Sequence, residues 1–171
     1  MNILHDINDE RIKPEEFVAY IEISKGSNKK YEIDKETGLL MLDRLNTSGA
    51  YYPMNYGFIP RTLCEDGDAL DVCVLTSVTL DPMTLCVCKP VGLIRMVDTG
   101  EKDEKILAVL RDDPNNDMPR NAAHEIEHFF KTYKLDNPKK VVTLEPFEGK
   151  DAAIAMIKEA KEYYIKHGGK K

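Results

Sequence analysis

The sequence predicts a mainly β chain with late helices, an α+β architecture in which a β-barrel or sheet is covered by helices. Three observations predict it. Alternating, β-rich runs fill the first two thirds of the chain. Apolar stripes at helical spacing occur only in the last third. Strands and helices are not interleaved, so a series of βαβ units does not fit. The 171 residues suit one domain, read here as 1–171, long enough to bury a real core.

Each element has its own signal. Phe17, Ala19, Ile21 and Ile23 alternate and share one strand face, which turns Glu22 to the other. In the next strand Tyr31 and Ile33 share a face and Lys30 and Glu32 the opposite one. Gly38 turns the chain into a third strand over residues 39–44. Further strands are expected at 71–76, 84–97 and 104–110, the last two joined by the polar hairpin Asp98-Thr99-Gly100-Glu101-Lys102-Asp103. Asn121 is placed to cap a helix with the stripe Ala123, Ile126, Phe130 and Tyr133. Asp151 is placed to cap a second, with Ala153, Ile157, Ala160 and Tyr164 on one face and Gly168 and Gly169 ending it.

Composition narrows the function. A net charge of −6 argues against a nucleic-acid binder that relies on a basic surface. No apolar run approaches the ~18 residues of a membrane span. The first residues show no basic region followed by an apolar stretch, so the expected location is the cytoplasm. None of Cys64, Cys73, Cys86 and Cys88 has Cys-x-x-Cys spacing, and all four are expected to be free thiols in a reducing compartment.

The densest chemical signal is the loop Glu65-Asp66-Gly67-Asp68-Ala69-Leu70-Asp71. Four carboxylates in seven residues repel one another unless cations compensate, and hard oxygen donors suit Mg²⁺ or Ca²⁺. A solvated acidic turn accounts for the loop equally well. An EF-hand does not, because its glycine and glutamate positions hold Asp71 and Ser77. The hairpin at Asp98–Asp103 adds a second acidic cluster beside Lys105, and taken singly it reads as an exposed tip. The run Tyr51–Pro60, rich in Tyr, Pro and Gly, offers phenols to phosphate oxygens or simply packs around a turn. A competing motif is His124-Glu125-Ile126-Glu127-His128, the H-E-x-x-H of zinc peptidases on a predicted helix. Its extended form fails, with Lys131 and Lys134 where a glycine and a third histidine belong. A non-catalytic metal-binding barrel is the remaining alternative.

In combination these segments resemble the soluble inorganic pyrophosphatases of the first family, in their short prokaryotic form. The resemblance runs from about Phe17 to Lys134. It is carried by Ile21-Glu22-Ile23, Lys30-Tyr31-Glu32-Ile33-Asp34-Lys35, Asp43-Arg44, Tyr52-Pro53-x-Asn55-Tyr56-Gly57 and Asp66-Gly67-Asp68-x-x-Asp71-Val72. It continues through Lys89-Pro90-Val91-Gly92, Asp98…Asp103-x-Lys105 and His128-Phe129-Phe130…Tyr133-Lys134. The resemblance implies a five-stranded OB-like barrel with flanking helices and hydrolysis of pyrophosphate, presented as its Mg²⁺ complex, with several Mg²⁺ ions per site. It implies that Asp66, Asp71 and Asp103 hold the first metal, and that Asp71 also reaches the second. Asp98 and Asp103 would take an ion arriving with the substrate, and Glu22 and Glu32 a further one. Lys30, Arg44, Tyr56, Tyr133 and Lys134 would hold the phosphates, with Tyr52 and Lys105 nearby, and Asp68 would be the general base. Short relatives are commonly homohexamers, and the same assembly is implied here.

The chain departs from the family pattern at Ala69, where Pro or Glu is usual, so the loop is expected to be looser. It is also shorter over Arg111–Asn121, and has no Trp, with Phe147 standing about where relatives carry one.

Overall fold

The structure is a computed structural model that describes residues 1–47, 49–113 and 121–168. After a 3-10 turn at Asp9–Arg11 the elements run β1 (Ile12–Lys13), β2 (Glu16–Ile23), β3 (Lys29–Ile33), β4 (Leu40–Leu45) and β5 (Asn55–Phe58). Then come β6 (Asp71–Leu75), β7 (Leu85–Ile94), β8 (Met96–Asp98), β9 (Glu101–Lys102) and β10 (Lys105–Leu110). The chain closes with α1 (Ala122–Thr132), β11 (Val142–Leu144), β12 (Glu148–Gly149) and α2 (Lys150–His167). Strands β2, β5, β6, β10 and β7 pair in that order, and β7 pairs back onto β2, closing a five-stranded barrel. All barrel pairs are antiparallel except β6 with β10. Closure removes the free edges that an open sheet of such apolar strands would expose.

Strands β2, β5, β6 and β10 are buried on both faces while β7 is partly exposed over Leu85–Lys89, and the buried residues sort into apolar clusters. Val72, Val74, Ile106 and Ala108 join the cluster that contains Ala153, Ile157 and Ala160 of α2. Their neighbours Cys73, Leu75, Leu107 and Val109 join the cluster that contains Ile126, Phe129 and Phe130 of α1. Period-two alternation thus feeds two cores from the same strands.

Several expectations are corrected. Residues 84–97 are two strands, because the pairing changes at Arg95. Pro90 sits where the β7–β10 register shifts, as a residue without an N–H requires. The run 51–60, read as a turn, contains barrel strand β5, buried at all four positions and too short to show a period. Gly57 is needed there, since a Cβ would lie 1.8 Å from the Tyr20 carbonyl oxygen on β2. In β2 the face opposite Phe17, Ala19 and Ile21 is buried as well, and a register shift after Ile21 moves Ile23 into the other cluster.

The α2 stripe is as expected: Ala153, Ile157, Ala160 and Tyr164 are its buried residues. Gly168 caps its C-terminus, and Gly169 lies outside the described residues. Neither expected N-cap side chain caps. Asn121 has helical dihedrals and offers only its carbonyl, to the Glu125 N–H at 3.0 Å. Asp151 lies inside the first turn of α2, after Gly149, where a negative charge still favours the helix dipole. Phe129 joins the α1 stripe, and Phe147 packs against the same cluster. The four cysteines are free. Among the described residues no helix is long and apolar enough to cross a membrane.

Candidate active site

Parallel pairing of β6 and β10 places Lys105 directly opposite Asp71, on the strand faces that continue into Cys73 and Leu107. Tyr56, from the adjoining strand β5, completes the group. Lys105 is 2% exposed. Its ammonium donates to Asp71 Oδ2 at 2.7 Å, Asp103 Oδ1 at 2.8 Å and the Tyr56 hydroxyl at 2.8 Å. The Tyr56 hydroxyl donates to Asp71 Oδ2 at 2.5 Å. Desolvation pulls the Lys105 pKa down, but Asp71 and Asp103 outweigh it and hold the group charged. Burial pushes Asp71 up, with Asp103 adding to the rise and Lys105 opposing it.

The acidic loop is shaped by its own backbone. Gly67 adopts φ +85°. Its N–H donates to the Cys64 carbonyl, and the Cys64 N–H donates to the Asp68 carbonyl. Asp66 Oδ1 accepts the Asp68 N–H at 3.0 Å. Asp66 is pushed up to about 6 by burial, and the charges of Asp68, Asp103 and Asp71 add to this. Asp68 projects outward, its side chain 62% exposed, and meets Lys35 at 2.5 Å. Lys35 also donates to the Gly67 carbonyl at 3.0 Å. Ala69 packs against the cluster of Tyr20, Ile33 and Phe58.

The facing wall comes from β2, from β3, and from the end of α1 with the β8–β9 turn. Lys30 pairs with Glu32 on one face of β3 and lies 3.4 Å from Asp43. Burial, followed by the Arg44 charge, lowers the Lys30 pKa. Glu22 is 8% exposed and accepts the Ile33 N–H at 2.9 Å. Burial, then Asp71, pushes it up to about 8. Lys134, just past α1, pairs with Asp98 on β8 and lies 5.0 Å from the Tyr133 ring centre. Burial would raise Asp98, but Lys134 and Thr99 overcome it and hold the carboxyl below its usual range. Thr99 and Gly100 both have positive φ, the signature of a tight two-residue hairpin, and this turn carries Asp98 into position. Tyr52 is buried, its ring 4.6 Å from Phe129 and 5.3 Å from Tyr56.

All the candidate residues except Arg44 line one cleft of about 470 Å³. Arg44 lies opposite Lys30 on β4 and lines a neighbouring recess of about 190 Å³ that shares Tyr133, Lys134 and Lys140. The cleft also holds Lys35, Lys102 and Lys140, to which sequence reasoning gave no role. Lys35 had a signal, since it ends the Lys30–Lys35 segment; Lys102 and Lys140 had none beyond composition. Eight carboxylates face six lysines in the cleft, so a polyanion entering it needs additional positive charge. The donor set fits hard divalent cations: clustered carboxylates whose pKa values are raised by burial, with one another's charges adding to the rise. Among the described residues no three His, Cys, Asp or Glu side chains converge on one metal-sized point, and Lys105 stands between Asp71 and Asp103. His124 and His128 are exposed on α1 and do not line the cleft, while Glu127 of that motif pairs with Lys131.

The chain and its fold match known proteins. The family model described as inorganic pyrophosphatase matches residues 19–165. Soluble inorganic pyrophosphatase 2 of Chlamydomonas reinhardtii is 41% identical over 170 residues, covering 95% of this chain and 88% of that protein. The inorganic pyrophosphatase structure from Thermus thermophilus superposes with a TM-score of 0.90 at 34% identity, covering 96% of this chain and 99% of that one. The Helicobacter pylori structure gives 0.85 at 39% identity, with 90% and 96% covered. A match across nearly the whole chain, in sequence and in fold, makes this protein a member of the inorganic pyrophosphatase family.

Proposed function

We propose that this pyrophosphatase works with Mg²⁺ held by the cleft carboxylates, with Asp68 as general base. Its reaction is hydrolysis of inorganic pyrophosphate to two phosphates. The observation that carries the metal reading is the excess of carboxylates over lysines in a cleft built for a polyanion. Asp66, Asp71 and Asp103 would hold the first ion, with Asp71 reaching a second. Asp98 and Asp103 would receive the ion that enters with the substrate, and Glu22 and Glu32 would serve a further position. When bound, such ions neutralise the phosphate charge and lower the pKa of a nucleophilic water.

The chain's own groups do the rest. Asp68, exposed at the cleft mouth, takes the proton of the attacking water. Lys30, Arg44, Tyr56, Tyr133 and Lys134 would hold the phosphates, with Tyr52 and Lys105 nearby. These donors stabilise charge that grows on the leaving phosphate in the transition state. The Tyr52 ring, packed between Phe129 and Tyr56, keeps that wall rigid and dry. The reading includes one catalytic domain spanning 1–171, a cytoplasmic location and a homohexamer. Exposed Leu39, Met41, Leu42 and Leu45 around β4 supply apolar surface for assembly. Light scattering on a sizing column tests the assembly against the 19.4 kDa chain mass.

The deciding experiment measures phosphate release from pyrophosphate across a Mg²⁺ titration. Release that rises from near zero with Mg²⁺ is expected. Asp68→Asn should lower turnover by roughly 100-fold or more while metal still binds. Unchanged turnover in Asp68→Asn would remove Asp68 as base, and release independent of Mg²⁺ would remove the metal reading.

A further inference from the structure

Two thiols lie together on the barrel wall, and pyrophosphate hydrolysis does not use them. Cys86 and Cys88 are two residues apart on β7, so their side chains leave the strand on the same side. Their sulfur atoms are 3.7 Å apart. Cys86 is partly exposed, and Cys88 is fully buried. We propose that Cys86 and Cys88 form a peroxide-sensitive dithiol, in which Cys86 is oxidised first and Cys88 resolves it as an internal disulfide.

The unequal environments assign the roles. The contact with Cys88 lowers the Cys86 pKa, against the opposing effect of burial. The same contact raises Cys88 and keeps it a thiol. A partly exposed thiol with a lowered pKa beside a second thiol is the arrangement that peroxide-sensing cysteines need. The Cys86 thiolate attacks one oxygen of a hydroperoxide. The O–O bond breaks, and the departing oxide takes a proton to leave as alcohol or water. Cys86 becomes a sulfenic acid. Cys88 then attacks the Cys86 sulfur, and the S–O bond breaks. Water leaves, carrying the Cys88 proton. Two thiols and one hydroperoxide give one disulfide, one alcohol (water from hydrogen peroxide) and one water.

Strand geometry makes the product reversible. Residues i and i+2 of a strand lie about 6.6 Å apart between Cα atoms, near the upper limit of about 6.8 Å for a disulfide. The bond therefore forms only if β7 puckers. The strand is irregular nearby, since its register against β10 shifts at Pro90–Gly92. The pucker falls on the seam that closes the barrel, where Cys86 lies opposite Ala19 and Cys88 opposite Phe17 of β2. A strained disulfide is easily reduced and lowers the stability of the fold that carries it.

The test treats the whole protein with hydrogen peroxide, alkylates it in denaturant, and cleaves on the amino side of aspartate. The fragment 81–97 then carries Cys86 and Cys88 and no other cysteine. The proposal expects this fragment unalkylated and lighter by two hydrogen atoms, with alkylation restored after a dithiol reductant. It also expects a lower melting temperature on oxidation, reversed by the reductant and absent in Cys86→Ser. Cys86→Ser should keep basal pyrophosphate hydrolysis, and it and Cys88→Ser should each abolish the internal link. Any of three results would overturn the proposal: both thiols alkylated after peroxide, Cys86 stopped at an oxyacid with Cys88 still free, or a disulfide to another cysteine or another chain.

Discussion

The same barrel strands face two different interiors. On one, Val72, Val74, Ile106 and Ala108 meet the small and aliphatic residues of α2 in an apolar cluster. On the other, the residues that alternate with them begin as Asp71 and Lys105 and end as Leu75 and Val109, under the aromatic face of α1. The α2 side is stabilised mainly by apolar burial. The α1 side is apolar at its base and ionic at its mouth, where charges are held out of water. Buried ion pairs seldom add net stability, because desolvation offsets their attraction. Their retention at the cleft reflects chemistry, and the α2 side supplies the stability that tolerates them.

That contrast can be broken from either side. Lys105→Met leaves Asp71 and Asp103 crowded without a counter-charge. In chelator it should destabilise the fold by about 3–5 kcal/mol, measured by denaturant unfolding, and it should lower turnover by roughly 100-fold. Divalent cations should recover part of the stability, because they replace the lost charge; no recovery would count against a cation site at these carboxylates. Ile157→Ala, on α2, should destabilise by about 2–4 kcal/mol through a cavity while turnover at low temperature stays unchanged. A large fall in turnover there would show that the two sides are not separable.

The smallest effect sharpens the contrast through pH. Glu22 has a folded-state pKa of about 8, against an unfolded value of 4.5. The folded chain therefore holds the proton more tightly. Stability linked to Glu22 is fully present below the unfolded value and is lost as pH rises through about 8. Glu22→Gln removes that dependence and can keep an acceptor for the Ile33 N–H. In metal-free protein near pH 9 it should be more stable than the wild type, with the difference vanishing near pH 4. A difference independent of pH would place the origin in packing instead.

Much of the site was legible because its chemistry is local. The Asp66–Asp71 loop, the Lys30–Glu32 face and the Asp98–Asp103 hairpin each declare a charge cluster within a few residues. Strand β5 was not legible, because four buried residues carry no period, and the role of Gly57 depends on a carbonyl on β2 that only the folded chain brings near. The N-caps were legible only in part: Asn121 is the residue before α1 but its side chain makes no cap bond, and Asp151 falls inside α2 because that helix starts after Gly149.

The sequence by itself determined the late helices, the apolar stripe of α2 and the residue types of the acidic loop, since each follows from spacing along a few turns or strands. Tertiary structure alone decided that Lys105 is buried between Asp71 and Asp103, that Glu22 is driven toward protonation, and that Arg44 lines a side recess. Those outcomes depend on strand register and burial, which join residues far apart in the chain and set the dielectric around each charge.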